Sequence, residues 1–99
     1  MTVSAMLTSE TAVQIGSATI PMSDALALYN ARSASWRATL SEHAHVESVA
    51  IWNAIQRADK LAKGIPVGNA ISTPRLNAAT ARLEAELMGA SVFLLRRAA

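Results

Sequence analysis

Two histidines stand one residue apart in Ser41-Glu42-His43-Ala44-His45-Val46-Glu47, with carboxylates on either side. Imidazole and carboxylate are common zinc ligands and common partners in proton transfer, so this is where chemistry is sought first. Spacing limits what they can do. On a helix, residues i and i+2 point about 200° apart and cannot share an ion, whereas on a strand they could. A continuous helix would leave His43 and Glu47 as an i,i+4 pair, a spacing that two-ligand metal sites use and ordinary surface helices also contain. The segment therefore reads as an exposed helix end or turn, with no metal bound.

Other catalytic arrangements are missing. Serines and threonines are plentiful, but none occupies a G-x-S-x-G elbow, and no carboxylate pairs with a histidine outside the segment above. Asp24 suits the positive end of a helix and Asp59 suits pairing with a nearby lysine. No enzyme activity and no cofactor are expected. The loop Lys63-Gly64-Ile65-Pro66-Val67-Gly68-Asn69-Ala70-Ile71-Ser72-Thr73-Pro74-Arg75-Leu76 has two glycines but neither G-K-[ST] nor G-x-G-x-x-G. What remains is the generic anion site at a helix start, formed by free N–H groups after Thr73 with Arg75 beside them.

The basic residues raise a nucleic-acid reading. Residues 1–50 hold two basic and four acidic groups, and residues 51–99 hold seven basic and three acidic. Arg57, Lys60, Lys63, Arg75 and Arg82 would gather if the second and third helices packed as a hairpin, with Arg96 and Arg97 at the far end. A small nucleic-acid-binding protein using this basic half is thus the second functional reading. Against it, a helix-turn-helix joins its helices by three or four residues, whereas this connection is about nine. A ribbon-helix-helix fails as well, because the strand candidate Val13-Gln14-Ile15-Gly16-Ser17-Ala18-Thr19-Ile20 carries no Arg or Lys.

The elements that must position these residues are mainly helical. In the first 22 residues, Val13 and Ile15 alternate with polar positions, and Gly16-Ser17 suits a two-residue type II′ turn with glycine first. Such a hairpin is too short to stand alone and would have to lie on helices. After Pro21, Ser23 is placed to cap a helix from about Asp24 to about Glu42. Its stripe of Leu26, Tyr29, Ser33, Trp36 and Leu40 has heptad-like spacing. A second helix is expected from about Val46 to Lys63, with Ile51, Ile55, Ala58 and Ala62 on one face and Val49, Trp52 and Leu61 flanking it. Lys60, Lys63 and Gly64 mark its end. Thr73 and Pro74 open the third helix as N-cap and first helical residue, and Leu76, Ala79, Leu83, Leu87, Ala90 and Leu94 form its stripe. Along it Arg82 and Glu86 are spaced to pair at i,i+4. Gly89 weakens this helix by about 1 kcal/mol relative to alanine, so a kink or a separate short helix is expected beyond it.

The fold class expected is all-α: a small three-helix bundle or helical hairpin, with residues 1–22 as an extended or short β-hairpin arm and 23–99 as the helical domain. Of the 99 residues 52% are hydrophobic, yet much of that is alanine, which contributes helix propensity and little buried area. A chain of this size buries only about 65% of its unfolded surface, so self-association or a protein partner would add apolar burial. The function expected is a non-enzymatic interaction module, an adaptor, chaperone or inhibitor acting through amphipathic helix faces and forming a homo-oligomer. Its core or interface residues are Leu26, Tyr29, Trp36, Leu40, Ile51, Trp52, Ile55, Leu76, Leu83 and Leu87. Ile65, Val67 and Ile71 are more apolar than a solvated joint requires, and are expected to cover the end of the helices or to meet a partner.

With no cysteine, disulfides and thiolate metal sites are ruled out. No signal peptide or membrane-length apolar run is apparent, so a cytoplasmic location is expected. Ser91-Val92-Phe93-Leu94-Leu95-Arg96-Arg97 is too short an apolar run for membrane anchoring and reads as core or subunit interface. Size and helical style are shared with small phage structural and regulatory proteins, and no motif makes that comparison tighter.

Overall fold

The computed structural model describes residues 11–68 and 72–98, with side chains as far as residue 89. It is mostly helical, with one small antiparallel sheet: β1 (Ala12–Ile15), β2 (Ala18–Pro21), α1 (Met22–Thr39), α2 (Glu42–Ala62) and α3 (Pro74–Ala98). The strands pair in the register Ala12↔Pro21, Val13↔Ile20, Gln14↔Thr19 and Ile15↔Ala18. Gly16 takes φ +62° and Ser17 stays at negative φ, the pattern of a type II′ turn. Alternation along β1 turns Val13 and Ile15 inward, where both are almost wholly buried.

The hairpin also explains where α1 begins. The helix starts at Met22, two residues before the expected Asp24, and its N-cap is Pro21 with no side-chain cap bond. The Met22 N–H, otherwise an orphan donor of the first turn, donates to the Thr11 carbonyl at 2.8 Å as the last rung of the strand ladder. Ser23 therefore lies inside the helix's first turn and is not its cap. At the other end α1 stops at Thr39 and does not reach Glu42. Leu40 adopts the left-handed conformation (φ 56°, ψ 30°) and donates its N–H to the Trp36 carbonyl at 2.7 Å. The next helix opens at Glu42 and not at Val46, because the Ser41 Oγ accepts from the Ala44 N–H at 3.3 Å as its N-cap. Both histidines thus fall in the opening turns of α2.

Helix α2 closes with Gly64 at φ +73°. Gly64 N–H donates to the Leu61 carbonyl at 3.1 Å and Ile65 N–H to the Lys60 carbonyl at 2.9 Å, the two bonds of a Schellman motif. At the start of α3, Thr73 Oγ1 accepts from the Leu76 N–H at 3.2 Å, and Pro74 takes the first helical position. The helix continues through Gly89 to Ala98, so the tail is not a separate helix. One glycine costs about 1 kcal/mol, less than restarting a helix from a new nucleus.

Packing follows from how few large side chains are available. Helices α1 and α2 form an antiparallel pair, because Trp36 meets His45 and Tyr29 meets Trp52: stepping back along one helix steps forward along the other. Helix α3 meets α2 at a crossing, with Arg75 near Glu42 and Arg82 near Glu47, and Ala79 buried at the contact. Among the described residues the outer helices α1 and α3 do not pack directly on each other. The hairpin fills that side. Val13, Ile15, Ala25, Ala50, Ile51, Ile55, Ala58, Ala79 and Leu83 form one apolar cluster, with Tyr29, Leu76 and Leu87 half-buried against it.

Helix α1 keeps the middle of the expected stripe and loses its ends. Its buried or half-buried residues are Met22, Ala25, Leu28, Tyr29, Arg32, Ser33 and Trp36, with Ala25 fully buried. Leu26 and Trp52 are each 41% exposed and Leu40 is 72% exposed, so none of them belongs to the core of this chain. Ala25 is the one fully buried residue of α1, and a small side chain there lets the helix lie close against its neighbours. In the connection, Ile65 is exposed, Val67 is half-buried, and Ile71 lies outside the described residues.

The position of Leu40 gives a test with a definite sign. A leucine in the left-handed region costs about 1–2 kcal/mol, and this side chain is largely in water. Leu40→Gly is expected to stabilise the protein by roughly 0.5–1 kcal/mol in urea unfolding, after allowing for glycine's greater unfolded-state entropy. A core leucine at this place would instead give a loss of about 2–5 kcal/mol.

Candidate functional site

Two polar constellations and one aromatic face stand out on this frame. The first constellation joins all three helices. Glu47 on α2 accepts from Arg32 Nε of α1 at 2.7 Å through Oε1, and from Arg82 Nε of α3 at 2.9 Å through Oε2. Arg32 also pairs with Glu86 of α3. The expected Arg82–Glu86 pair within α3 is thus replaced by bonds to other helices, because both residues face toward α2 and α1. Glu47 has a side-chain exposure of only 13%. Burial pushes its carboxyl upward, and the hydrogen bonds and charges of Arg82 and Arg32 outweigh that and hold it below the usual carboxylate range. Burial likewise opposes the charge on Arg32, and Glu47 and Glu86 outweigh it, raising its pKa.

The second constellation ties the hairpin to α3. Ser17 donates from its backbone N–H (2.5 Å) and its Oγ (2.8 Å) to Glu84 Oε2. Those two bonds hold the Glu84 carboxyl below its ordinary range. A Cβ on Gly16 would run into the Glu84 carboxylate, so the turn needs glycine for space as well as for its φ.

The aromatic face lies along the α1–α2 seam. Trp36 and His45 have ring centroids 4.7 Å apart, and Tyr29 and Trp52 are 5.1 Å apart, both pairs tilted at 39°. Between them runs a groove of about 310 Å³ lined by Tyr29, Ser33, Trp36, Arg37, His45, Ser48, Val49 and Trp52. Of the large apolar side chains exposed among the described residues, Val49 and Trp52 line this groove, beside the half-buried Tyr29 and Trp36.

The residues weighed for other chemistry separate. His45 turns to Trp36, whereas His43 lines a different groove beside Arg75, as the i,i+2 spacing on a helix requires. Among the described residues no group of three or more His, Cys, Asp or Glu is placed to hold a metal ion. Four of the five residues in the basic set, all but Lys60, have partners within the chain. Arg75 pairs with Glu42 at 2.6 Å, Lys63 with Asp59 at 2.9 Å, Arg82 with Glu47, and Arg57 donates to the Gly68 carbonyl at 3.2 Å. The anion site imagined at Thr73 is taken up in the same way, since Thr73 caps the Leu76 N–H and Arg75 is engaged with Glu42. Arg96 and Arg97 have side chains outside the described part of the helix, as do Val92, Phe93, Leu94 and Leu95. Among the described residues no helix is long and apolar enough to cross a membrane.

Comparison with protein-family models, with curated proteins and with solved structures finds no match.

The two depressed carboxyls set an acid limit on stability. Each contributes stability above its unfolded value of about 4.3, and that contribution is lost as pH falls through the lower folded value. Acid unfolding of the wild type should therefore steepen below about pH 5. Glu47→Gln is expected to lose about 1–3 kcal/mol at pH 7 and to show a flatter stability profile between pH 5 and 3. An unchanged profile in urea unfolding across that range would rule out the Glu47 hub as an electrostatic anchor.

Proposed function

We propose that this chain is a non-enzymatic protein–protein interaction module, an adaptor, chaperone or inhibitor, whose working surface is the α1–α2 seam. One observation carries the reading: two aromatic pairs, with the exposed Val49 and Trp52 among their neighbours, line a single groove between two antiparallel helices. Contiguous apolar surface of that kind marks interaction sites, whereas isolated exposed leucines need no explanation. Tryptophan and tyrosine are also the residues that most often dominate binding when a partner excludes water from them. The Arg32–Glu47 bond joins the two helices that form the walls of the groove. Self-association through this seam and complex formation with another protein are the two ways of covering it.

The test is molar mass in solution by light scattering, together with affinity capture of partners from a cell extract, for the wild type and for Trp52→Ser. A discrete homo-oligomer or a stoichiometric complex that the substitution removes is the expected result, with helical circular dichroism unchanged. A complex indifferent to Trp52→Ser, or a strict monomer without partners, would count decisively against the seam.

A further inference from the structure

We infer that the α1–α2 groove takes an acidic amphipathic helix from another protein, with Arg37 receiving one of its carboxylates. This rests on the interaction-module reading above and adds the chemistry of the partner.

Arg37 is the cation that the fold leaves over at this site. Arg32, Arg75, Arg82 and Lys63 each pair with a carboxylate, and Arg57 binds a carbonyl. Arg37 lines the groove and has no hydrogen-bond or ion-pair partner among the described residues. Its place in the last turn of α1 suits the helix dipole, but that leaves its guanidinium donors open to a ligand. No carboxylate lines the groove. The polar side chains that do include Ser33, His45, the two indole N–H groups and the Tyr29 hydroxyl, a set rich in donors, while the Ser48 hydroxyl already donates to the His45 carbonyl. A partner bringing acceptors and negative charge fits this wall, and one bringing cations meets Arg37 unshielded.

A second copy of this chain fits less well. Its described carboxylates are committed: Glu42 to Arg75, Glu47 to Arg32 and Arg82, Asp59 to Lys63, Glu84 to Ser17 and Glu86 to Arg32. Asp24 remains, but thirteen residues along α1 place it about 140° around the helix from Arg37, so two grooves brought face to face do not set these residues together. The groove also favours a helix over a strand. Its walls are helices whose backbone groups are already bonded within themselves, leaving no ladder for a strand to join. From Tyr29 to Trp36 the groove runs about 10 Å along α1, enough for anchors at i, i+3 or i+4, and i+7 of a docked helix.

The experiment is selection from a displayed library of helical peptides with randomised surface positions, run in parallel against the full chain, Arg37→Glu and Trp52→Ser. The wild type should enrich peptides with an apolar stripe flanked by Asp or Glu. Their affinity should drop about tenfold or more when the acids become Gln, and should fall with added salt. Arg37→Glu should reverse the preference toward Lys and Arg, and Trp52→Ser should enrich nothing. Neutral peptides selected equally by the wild type and Arg37→Glu would overturn the acidic partner while leaving the groove an interface. No enrichment by any variant would overturn both readings, as would enrichment that Trp52→Ser leaves intact. Dimers of the wild type that Trp52→Ser dissolves would assign the groove to a second copy instead.

Discussion

A core built largely from alanine lets helix backbones come close but leaves little volume to fill, and the rest of this structure adapts to that constraint. Ala25, Ala50, Ala58 and Ala79 make up the small members of the buried cluster. The volume comes from Val13 and Ile15 on the hairpin and from Ile51, Ile55 and Leu83 on the helices. The hairpin is too short to be stable alone, and the outer helices meet without it only through the Arg32–Glu86 pair among the described residues. Each supplies what the other lacks. This also explains why α2 is central: it is the one helix whose apolar arc is wide enough to receive α1 on one side and α3 with β1 on the other.

Polar contacts then fix what small side chains leave loosely specified. Alanine surfaces can slide over one another with little penalty, because there are few knobs to seat in holes. Glu47 removes that freedom by receiving an arginine from each outer helix, and Glu84 does the same for the hairpin turn. The half-buried position of Glu47 strengthens these bonds relative to the exposed Lys63–Asp59 pair. Of the described cations in the second half, Arg82 joins helices through a half-buried bond, while Arg57, Lys63 and Arg75 make exposed contacts that contribute little.

How much of this was legible in the residues differs by element. Turn and cap chemistry read directly: Gly16-Ser17, Lys63-Gly64 and Thr73-Pro74 each have a local physical meaning that tertiary contacts did not override. The break at Leu40-Ser41 did not, since it uses a leucine in a conformation that normally calls for glycine, and only the Ser41 cap signals it. The ends of the α1 stripe mislead for a related reason. Periodicity identifies a face but cannot rank Ala25 above Leu26. At the candidate site, Tyr29, Trp36 and Trp52 are visible as large aromatics. Their grouping with Arg37 and His45 is visible only once the α1–α2 turn is placed, because it fixes which residues face each other. The interhelix ion pairs had no local signal at all: Arg82 and Glu86 satisfy the i,i+4 rule, and both prefer partners far along the chain.

The bond between Ser17 and Glu84 spans 67 residues of sequence. Contacts of that separation are slow to form, since most of the chain must be threaded between them. During synthesis from the N-terminus, the hairpin, α1 and α2 all emerge before the residues that complete their packing. Until Ala79, Leu83 and Glu84 are available, Val13 and Ile15 have only part of their final surroundings. The nascent chain is therefore left for a time as an antiparallel helix pair with an open flank, and that interval is when a chaperone or a misplaced second copy has its best access to the core.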